Sequence, residues 1–220
     1  LSNGLCSLRP KEDKLTVTAK IKFDNSGTPL SLKIDESVIC SNERMTYTNV
    51  QKILDKDEDA IKKYSHLLEL VAISKELADK IKNKRIERGS IDFLSNETAI
   101  LIEDGKIIGV EEYKYYDSNG IIEEFMIAAN EAVARELERR NYPCIYRVHE
   151  PPEEEKVKSL EAYASGFGLM PEGKYLKIDE VSAFIKKCQS TEYAKLISDV
   201  AIRTMQKAEY RIDNIGHFGL

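Results

Sequence analysis

Apolar and polar residues alternate strictly over residues 15–23, which is the pattern of a β-strand with one buried face. A polar stretch at residues 24–29 is typical of a turn, and the alternation resumes over residues 30–40. This arrangement of strand, turn and strand predicts an antiparallel hairpin near the start of the chain.

A second hairpin is predicted further along, from two short apolar segments at residues 99–102 and 106–110. Asp104 and Gly105 lie between these segments, and this pair accepts the positive φ angles that a tight two-residue turn requires. The chain should therefore reverse its direction at these two residues.

Helical periodicity predicts most of the remaining elements. One helix should begin near Thr46 or Thr48, because either side chain can accept a hydrogen bond from a free amide of the first turn. An apolar stripe over residues 67–81 predicts a longer helix that ends by Gly89. Further helices are predicted at residues 118–140, 153–164, 178–187 and 191–209, and a short strand at residues 144–148.

Together these elements predict an α+β fold, with a mixed, largely antiparallel sheet and surrounding helices. No internal repeat and no low-complexity linker requires a second domain. Residues 1–220 are therefore predicted to form a single domain.

Composition limits the classes of protein to which the chain can belong. Hydrophobic residues make up 42% and charged residues 32% of its 220 residues, a balance typical of a soluble globular protein. No apolar run is long enough to cross a bilayer, so no membrane segment is expected. The formal net charge is -5, so a nucleic-acid site would have to be a local groove rather than a generally basic surface.

The cysteines are widely scattered and form no CxxC pair, which argues against a zinc site. We expect them to be free, buried thiols, which suits a reducing cytoplasm. They are Cys6, Cys40, Cys144 and Cys188.

The helix predicted at residues 118–140 has an unusual distribution of polar side chains. Glu124 and Glu131 share one edge of it, which should face solvent. Glu123 and Asn130 lie two turns apart on a face that is otherwise apolar. A carboxylate in such surroundings needs a hydrogen-bond partner, either from an internal packing network or from a ligand, and the pattern leaves both alternatives open.

Four segments carry a resemblance to a known family, and they occur in order along the whole chain. They read LSNGLCSLRP at residues 1–10, IIEEFMIAAN at 121–130, YRVHEPP at 146–152 and GHFGL at 216–220. Together they resemble the catalytic (RNB) domain of the ribonuclease R/ribonuclease II exoribonucleases. The chain is thus interpreted as an internal part of that domain.

The resemblance implies a magnesium-dependent activity that degrades single-stranded RNA from its 3′ end and releases nucleoside 5′-monophosphates. The family's metal-binding aspartates precede the segment at residues 1–10, and a catalytic arginine follows the segment at 216–220. No catalytic residue and no metal ligand is therefore expected in this chain, which alone should be inactive. The acidic run at residues 55–59 matches no metal motif of the family and is interpreted as a solvated helix cap.

Three residues match positions that contact RNA in the family. Phe93 resembles an aromatic residue that stacks on a base near the 3′ end, although an aromatic core contact is the alternative. Tyr47 resembles a tyrosine that lines the path to the active centre, with packing at a helix start as its alternative. Glu123 resembles a residue that contacts a ribose, whose 2′-hydroxyl group DNA lacks.

Other interpretations have less support in the sequence. A catalytically dead RNA-binding or scaffolding domain of the same fold is the main alternative. A metal-independent hydrolase would need His149 or Cys144 in a nucleophile and base arrangement that no motif supports, so His149 is expected to be a hydrogen-bonded structural residue. Self-association is a further expectation, since a partial domain would expose apolar surface.

Overall fold

The structure is a computed structural model that describes most of the chain as two compact units. Residues 2, 4–90, 98–112, 115–170, 176 and 180–217 are described. Unit 1 consists of Leu1–Lys84 and Tyr115–Asn141, and unit 2 of Arg85–Lys114 and Tyr142–Leu220. Helices and small antiparallel sheets make up both units, which confirms the predicted α+β class. The single domain stays a prediction.

Unit 1 begins with the hairpin that the alternation predicted. Strand β1 (Asp13–Phe23) pairs antiparallel with strand β2 (Pro29–Cys40). In the turn, the Oδ1 atom of Asp24 accepts hydrogen bonds from the backbone N–H groups of Ser26 and Thr28, at 2.8 and 2.9 Å. These hydrogen bonds lower the pKa of Asp24, and the bond from the Thr28 backbone makes the largest contribution.

At the open end of the hairpin, the polar face of β1 is covered and its apolar face is exposed. The hydroxyl groups of Thr16, Thr18 and Ser37 hydrogen-bond to one another across the strands, at oxygen separations of 2.6 to 3.0 Å. Leu15, on the opposite face, is 89% exposed, and Val17 is exposed as well. The expectation of a buried apolar face is therefore wrong for this end of β1, because a polar network occupies the covered side.

Three helices follow β2 within unit 1. Helix α1 (Tyr47–Leu54) is capped by Thr46, whose hydroxyl accepts from the backbone of Asn49 at 3.2 Å. Helix α2 (Glu58–Lys63) is capped by Asp57, whose carboxylate accepts from Ala60 at 2.9 Å. The acidic run thus contains a helix cap, as predicted.

Helix α3 (Leu68–Glu87) follows a 3₁₀ turn at Ser65–Leu67, and its predicted end by Gly89 is confirmed. A small apolar core holds these helices together, because side chains from each of them are buried against one another. Its buried members are Ile53, Ala60, Tyr64 and Val71. Helix α4 (Asp117–Arg139), which closes unit 1, lies within one residue of its predicted bounds.

Unit 2 contains the second hairpin and the three C-terminal helices. Strands β3 (Thr98–Glu103) and β4 (Lys106–Glu112) pair antiparallel. The φ angles of Asp104 and Gly105 are 49° and 73°, so both turn residues have the positive φ values that were predicted.

The rest of unit 2 packs three helices around one apolar core. Strand β5 (Tyr146–Val148) is followed by helices α5 (Glu154–Ser165), α6 (Val181–Cys188) and α7 (Ala194–Thr204) and by strand β6 (Glu209–Arg211). The core is formed by Val157, Leu160, Ala164, Val181, Ile185, Cys188, Ile197 and Ala201.

The predicted extension of the last helix to residue 209 is wrong. The backbone becomes extended at Met205, with ψ of 145°, and this ends helix α7. Strand β6 then pairs antiparallel with β5, and Tyr146 lies opposite Arg211. Pairing with a distant strand thus outweighs the local helical pattern of these residues.

The cysteines are free thiols, but the expectation that they are buried holds only for Cys188. Burial raises the pKa of the Cys188 thiol. Cys6 and Cys40 are exposed and Cys144 is half-buried. In the part of the chain that the structure describes, no helix combines the length and the apolar character needed to span a membrane.

We expect Gly27→Ala to lower the free energy of unfolding by about 2 to 4 kcal/mol. The φ angle of Gly27 is +83°, and an added Cβ would lie 2.9 Å from the backbone carbon of Lys80 in α3. Both backbone strain and overpacking therefore oppose the substitution. The measurement is urea-induced unfolding of the variant and the parent chain.

Gly105→Ala is the matched control for backbone strain alone. Its φ angle is +73°, and an added Cβ there would meet nothing within 4 Å. We expect a smaller loss, about 1 to 2 kcal/mol. Equal losses for the two variants would contradict the close contact between the hairpin turn and α3.

Candidate functional site

Two of the three predicted site residues lie in unit 1, on helices that meet at their N-terminal ends. Tyr47 is the first residue of α1, and Glu123 lies in the second turn of α4. Phe93 lies outside the described residues. The candidate site is therefore built from the junction of α1 and α4.

Ser118 joins the two helix ends through two hydrogen bonds. Its hydroxyl donates to the backbone carbonyl of Tyr47 at 2.8 Å, and its backbone N–H donates to Oε1 of Gln51 at 3.2 Å. The amide group of Gln51 also donates to Oδ1 of Asp55, at 2.9 Å. Ser118 itself is only 2% exposed, so the serine end of each bond is shielded from bulk water. The junction thereby fixes where α4 starts relative to α1.

The ring of Tyr47 is open to solvent at this junction. Tyr47 as a whole is 44% exposed, whereas its backbone carbonyl accepts the bond from buried Ser118. The backbone of Tyr47 thus makes the structural contact, and the ring leaves aromatic surface free for another partner.

The prediction that one edge of α4 faces solvent is wrong for Glu124. Glu124 is 3% exposed, on the buried side of the helix with Ser118 and Ile121. Residues spaced by three lie on one side of a helix, so docking through Ser118 turns Glu124 inward. The other predicted member of the edge, Glu131, is half-buried and pairs with Arg135 at 2.9 Å.

Glu123 consequently lies on the outer face of α4, and apolar side chains surround it there. Ile122 and Met126 are both exposed on this face, and Asn130 is exposed two turns further along. Two exposed apolar side chains thus lie beside Glu123, and this face of α4 is open rather than packed. This arrangement places a carboxylate within an exposed apolar strip.

Tyr115 is the partner of Glu123 that the sequence did not identify. Its hydroxyl donates to Oε2 of Glu123 at 2.5 Å, and the residue is 59% exposed. The signal available in the sequence was a tyrosine eight residues before the glutamate, which by itself specifies no contact.

Two other motif residues meet in unit 2 as a pair of histidines. Nδ1 of His149 lies 2.8 Å from the carbonyl oxygen of Gln206, and its Nε2 lies 3.0 Å from Nε2 of His217. Because a carbonyl oxygen only accepts, Nδ1 of neutral His149 carries the proton and Nε2 accepts from His217. The backbone N–H of His149 also donates to the carbonyl of Gly216, at 3.0 Å. The predicted hydrogen bonding of His149 is confirmed.

The histidine pair favours the uncharged state of His217. Burial lowers the pKa of His217, and the positive charges of His149 and Arg147 lower it further. Both effects favour the neutral form of the His217 ring.

The described residues do not fit a metal ion. Within the described ranges, no group of three or more His, Cys, Asp and Glu side chains has the geometry to hold one. Asp57 in the acidic run is engaged as the cap of α2. No catalytic step through a metal follows from these side chains.

Comparison with known sequences identifies relatives along the entire chain. The model of the RNB domain family matches residues 1–220. Ribonuclease R of Aquifex aeolicus (strain VF5) is 38% identical over 222 residues, which covers 100% of this chain and 32% of that protein. The chain thus spans about a third of the length of this relative.

Solved structures give the same picture for the fold. The apo form of Mycoplasma genitalium RNase R superimposes with a TM-score of 0.86 and 25% identity, covering 99% of this chain and 34% of that one. The same enzyme in complex with ribose methylated single-stranded RNA gives a TM-score of 0.86 and 26% identity, with 99% and 34% coverage.

We expect Ser118→Ala to lower the free energy of unfolding by about 1 to 2 kcal/mol, because the hydrogen bond from the buried serine to the Tyr47 carbonyl is lost. Ser159→Ala is the control, since its exposed hydroxyl makes a similar bond to the Glu155 carbonyl at 2.9 Å. That variant should change stability by less than about 0.5 kcal/mol. Urea unfolding measures both, and equal effects would count against a junction held by Ser118.

We expect stability to fall as the pH is lowered below about 6.5, in part because of His217. The unfolded chain takes up a proton on this ring near its ordinary pKa of 6.5, whereas the lowered pKa of the folded state disfavours it. The loss continues until the pH reaches the folded pKa, and this group contributes no slope above the unfolded pKa.

His217→Gln should remove this contribution. Between pH 6.5 and the folded pKa, the slope of the free energy of unfolding against pH should fall by the equivalent of at most one bound proton. The measurement is the free energy of unfolding at a series of pH values. His66→Gln, which alters an exposed histidine in unit 1, serves as the control. An unchanged slope in His217→Gln would contradict the assignment.

Proposed function

The chain belongs to the RNB domain family, and on that premise we propose that it is part of an enzyme that degrades single-stranded RNA from its 3′ end. Within that enzyme the chain supplies part of the channel that grips the RNA. The name Ribonuclease R of the relatives supports the nuclease over a scaffolding domain of the same fold. A structural neighbour solved with single-stranded RNA supports the type of ligand.

The observation that carries the proposal is the junction of α1 and α4. It presents the exposed ring of Tyr47 on one helix and the carboxylate of Glu123 on the other. Aromatic rings stack on bases of any identity, so Tyr47 suits an enzyme that accepts any RNA sequence. A carboxylate accepts a hydrogen bond from a ribose 2′-hydroxyl, so Glu123 provides a means to distinguish RNA from DNA.

The apolar strip around Glu123 suits the flat faces of sugars and bases. Ile122 and Met126 leave apolar surface exposed beside the carboxylate. Since the chain carries a net charge of -5, general attraction to phosphates would not by itself hold an RNA strand here. Stacking, apolar contact and ribose recognition therefore supply the binding, and Phe93 is proposed as a further stacking residue.

Hydrolysis is proposed to require magnesium ions held by aspartates from another part of the enzyme. Bound cations of this kind activate water and stabilise the leaving oxygen. The described side chains offer no group that fits such a site. The role of this chain is accordingly to bind and orient the RNA.

We expect the chain to bind a fluorescent oligoadenylate more tightly than the matching oligodeoxyadenylate, measured by fluorescence anisotropy. Glu123→Ala should reduce this preference about tenfold, because a hydrogen bond to a charged acceptor is lost. Glu138→Ala is the matched control, since it removes an exposed glutamate from the far end of the same helix. It should leave the preference unchanged.

Equal affinity for RNA and DNA, or equal effects of the two glutamate variants, would refute ribose recognition by Glu123. A cleavage assay with magnesium tests the second half of the proposal, and we expect no loss of oligoadenylate from the chain alone. Release of mononucleotides that a substitution within the chain abolishes would show that the catalytic groups lie here instead.

A further inference from the structure

The hydrogen bond between Tyr115 and Glu123 assigns a role to a residue that no motif identifies. We propose that Tyr115 is a positioning residue, which holds the Glu123 carboxylate in place for a ribose 2′-hydroxyl and so strengthens the preference for RNA over DNA. This inference rests on the function proposed for the junction of α1 and α4.

The geometry of the bond leaves the carboxylate able to accept a second hydrogen. The Tyr115 hydroxyl donates to Oε2 at 2.5 Å. An ionised carboxylate has two acceptor oxygens, so this bond leaves Oε1 as an acceptor for a ligand hydroxyl. A tyrosine donates one hydrogen, whereas an arginine in its place would present two parallel donors and engage both oxygens. The neutral, single donor therefore suits a carboxylate that must bind something else.

The bond also restrains a side chain that would otherwise be mobile. Glu123 is exposed on the outer face of α4, where a long side chain can adopt several rotamers. Fixing the carboxylate before the ligand arrives reduces the conformational entropy lost on binding. Tyr115 itself lies next to the first turn of α4, whose start is held by Ser118. The restraint is thus anchored to the junction.

The Tyr115 hydroxyl lies close to Gly120, which is in α4 between the two residues. A Cβ added to Gly120 would be 3.4 Å from the Tyr115 hydroxyl oxygen, which is an ordinary van der Waals contact. The path of the tyrosine to Glu123 is therefore compatible with alanine as well as glycine at this position.

The test compares Tyr115→Phe with the parent chain, since this variant keeps the ring and removes only the donor. The ligands are oligoadenylates that carry a single 2′-deoxy substitution at each position in turn, and binding is measured by anisotropy. In the parent chain, one position should show a marked loss of affinity on removal of the 2′-hydroxyl. Tyr115→Phe should reduce that loss about three- to tenfold and leave the affinity for DNA unchanged.

Tyr142→Phe is the matched control, because it removes the hydroxyl of an exposed tyrosine that belongs to unit 2. It should leave the pattern of 2′-deoxy effects as it is in the parent chain. Thermal unfolding of both variants shows whether Tyr115→Phe acts on binding or on the fold. A change in binding without a comparable change in melting temperature supports positioning.

A double-mutant cycle with Glu123→Ala separates this inference from the function on which it rests. If Tyr115 acts through Glu123, Tyr115→Phe has no further effect in the Glu123→Ala background. If Glu123→Ala abolishes the 2′-deoxy effect but Tyr115→Phe leaves it intact, the positioning role is wrong and the ribose contact stands. If Glu123→Ala itself leaves the effect intact, the ribose contact is wrong and the positioning role falls with it. Additive effects would show that Tyr115 acts independently of Glu123, and would also overturn the positioning role.

Discussion

The placement of Ser118 determines the geometry of the candidate site. Its two hydrogen bonds satisfy a backbone carbonyl of α1 and a glutamine side chain while the serine is out of contact with water. A buried polar group without such partners would cost free energy, so the first turn of α4 has one favourable docking position on α1. Once that turn is fixed, the helical repeat determines which side chains of α4 point outward. Glu123 is one of them and Glu124 is not.

The periodicity of the sequence predicted most helices and strands well, because neighbouring residues largely determine where these elements form. Both hairpins depend on alternation and on residues that suit their turns, and the Asp104-Gly105 turn adopts the positive φ angles expected of it. The caps at Thr46 and Asp57 likewise depend on neighbours three residues away. Such features need no knowledge of distant parts of the chain.

The wrong predictions for β1, α4 and α7 involve partners that are distant in the sequence or that a helical pattern cannot specify. Pairing of β6 with β5 ends α7 early, and the polar network of Thr16 and Ser37 makes the threonine face of β1 the covered one. The inward orientation of Glu124 depends on Ser118 docking to residues about 70 positions earlier. The hydrogen bond between Tyr115 and Glu123 depends on where the residues before α4 place the tyrosine ring, which a spacing of eight residues does not specify.

Burial and hydrogen bonding separate the motif residues into two groups with different roles. His149 and His217 are half-buried and hydrogen-bond to each other, and His149 also donates to the Gln206 carbonyl. These ring nitrogens therefore form hydrogen bonds within the fold. Tyr47 and Glu123 have side chains that reach solvent, although their backbones belong to the same well-packed junction. A rigid backbone with an exposed functional group is the arrangement that a binding surface requires, because it binds without losing order in the helices that carry it. Resemblance alone assigns all four residues to motifs, and their surroundings in the structure distinguish those that hold the fold from those available to a ligand.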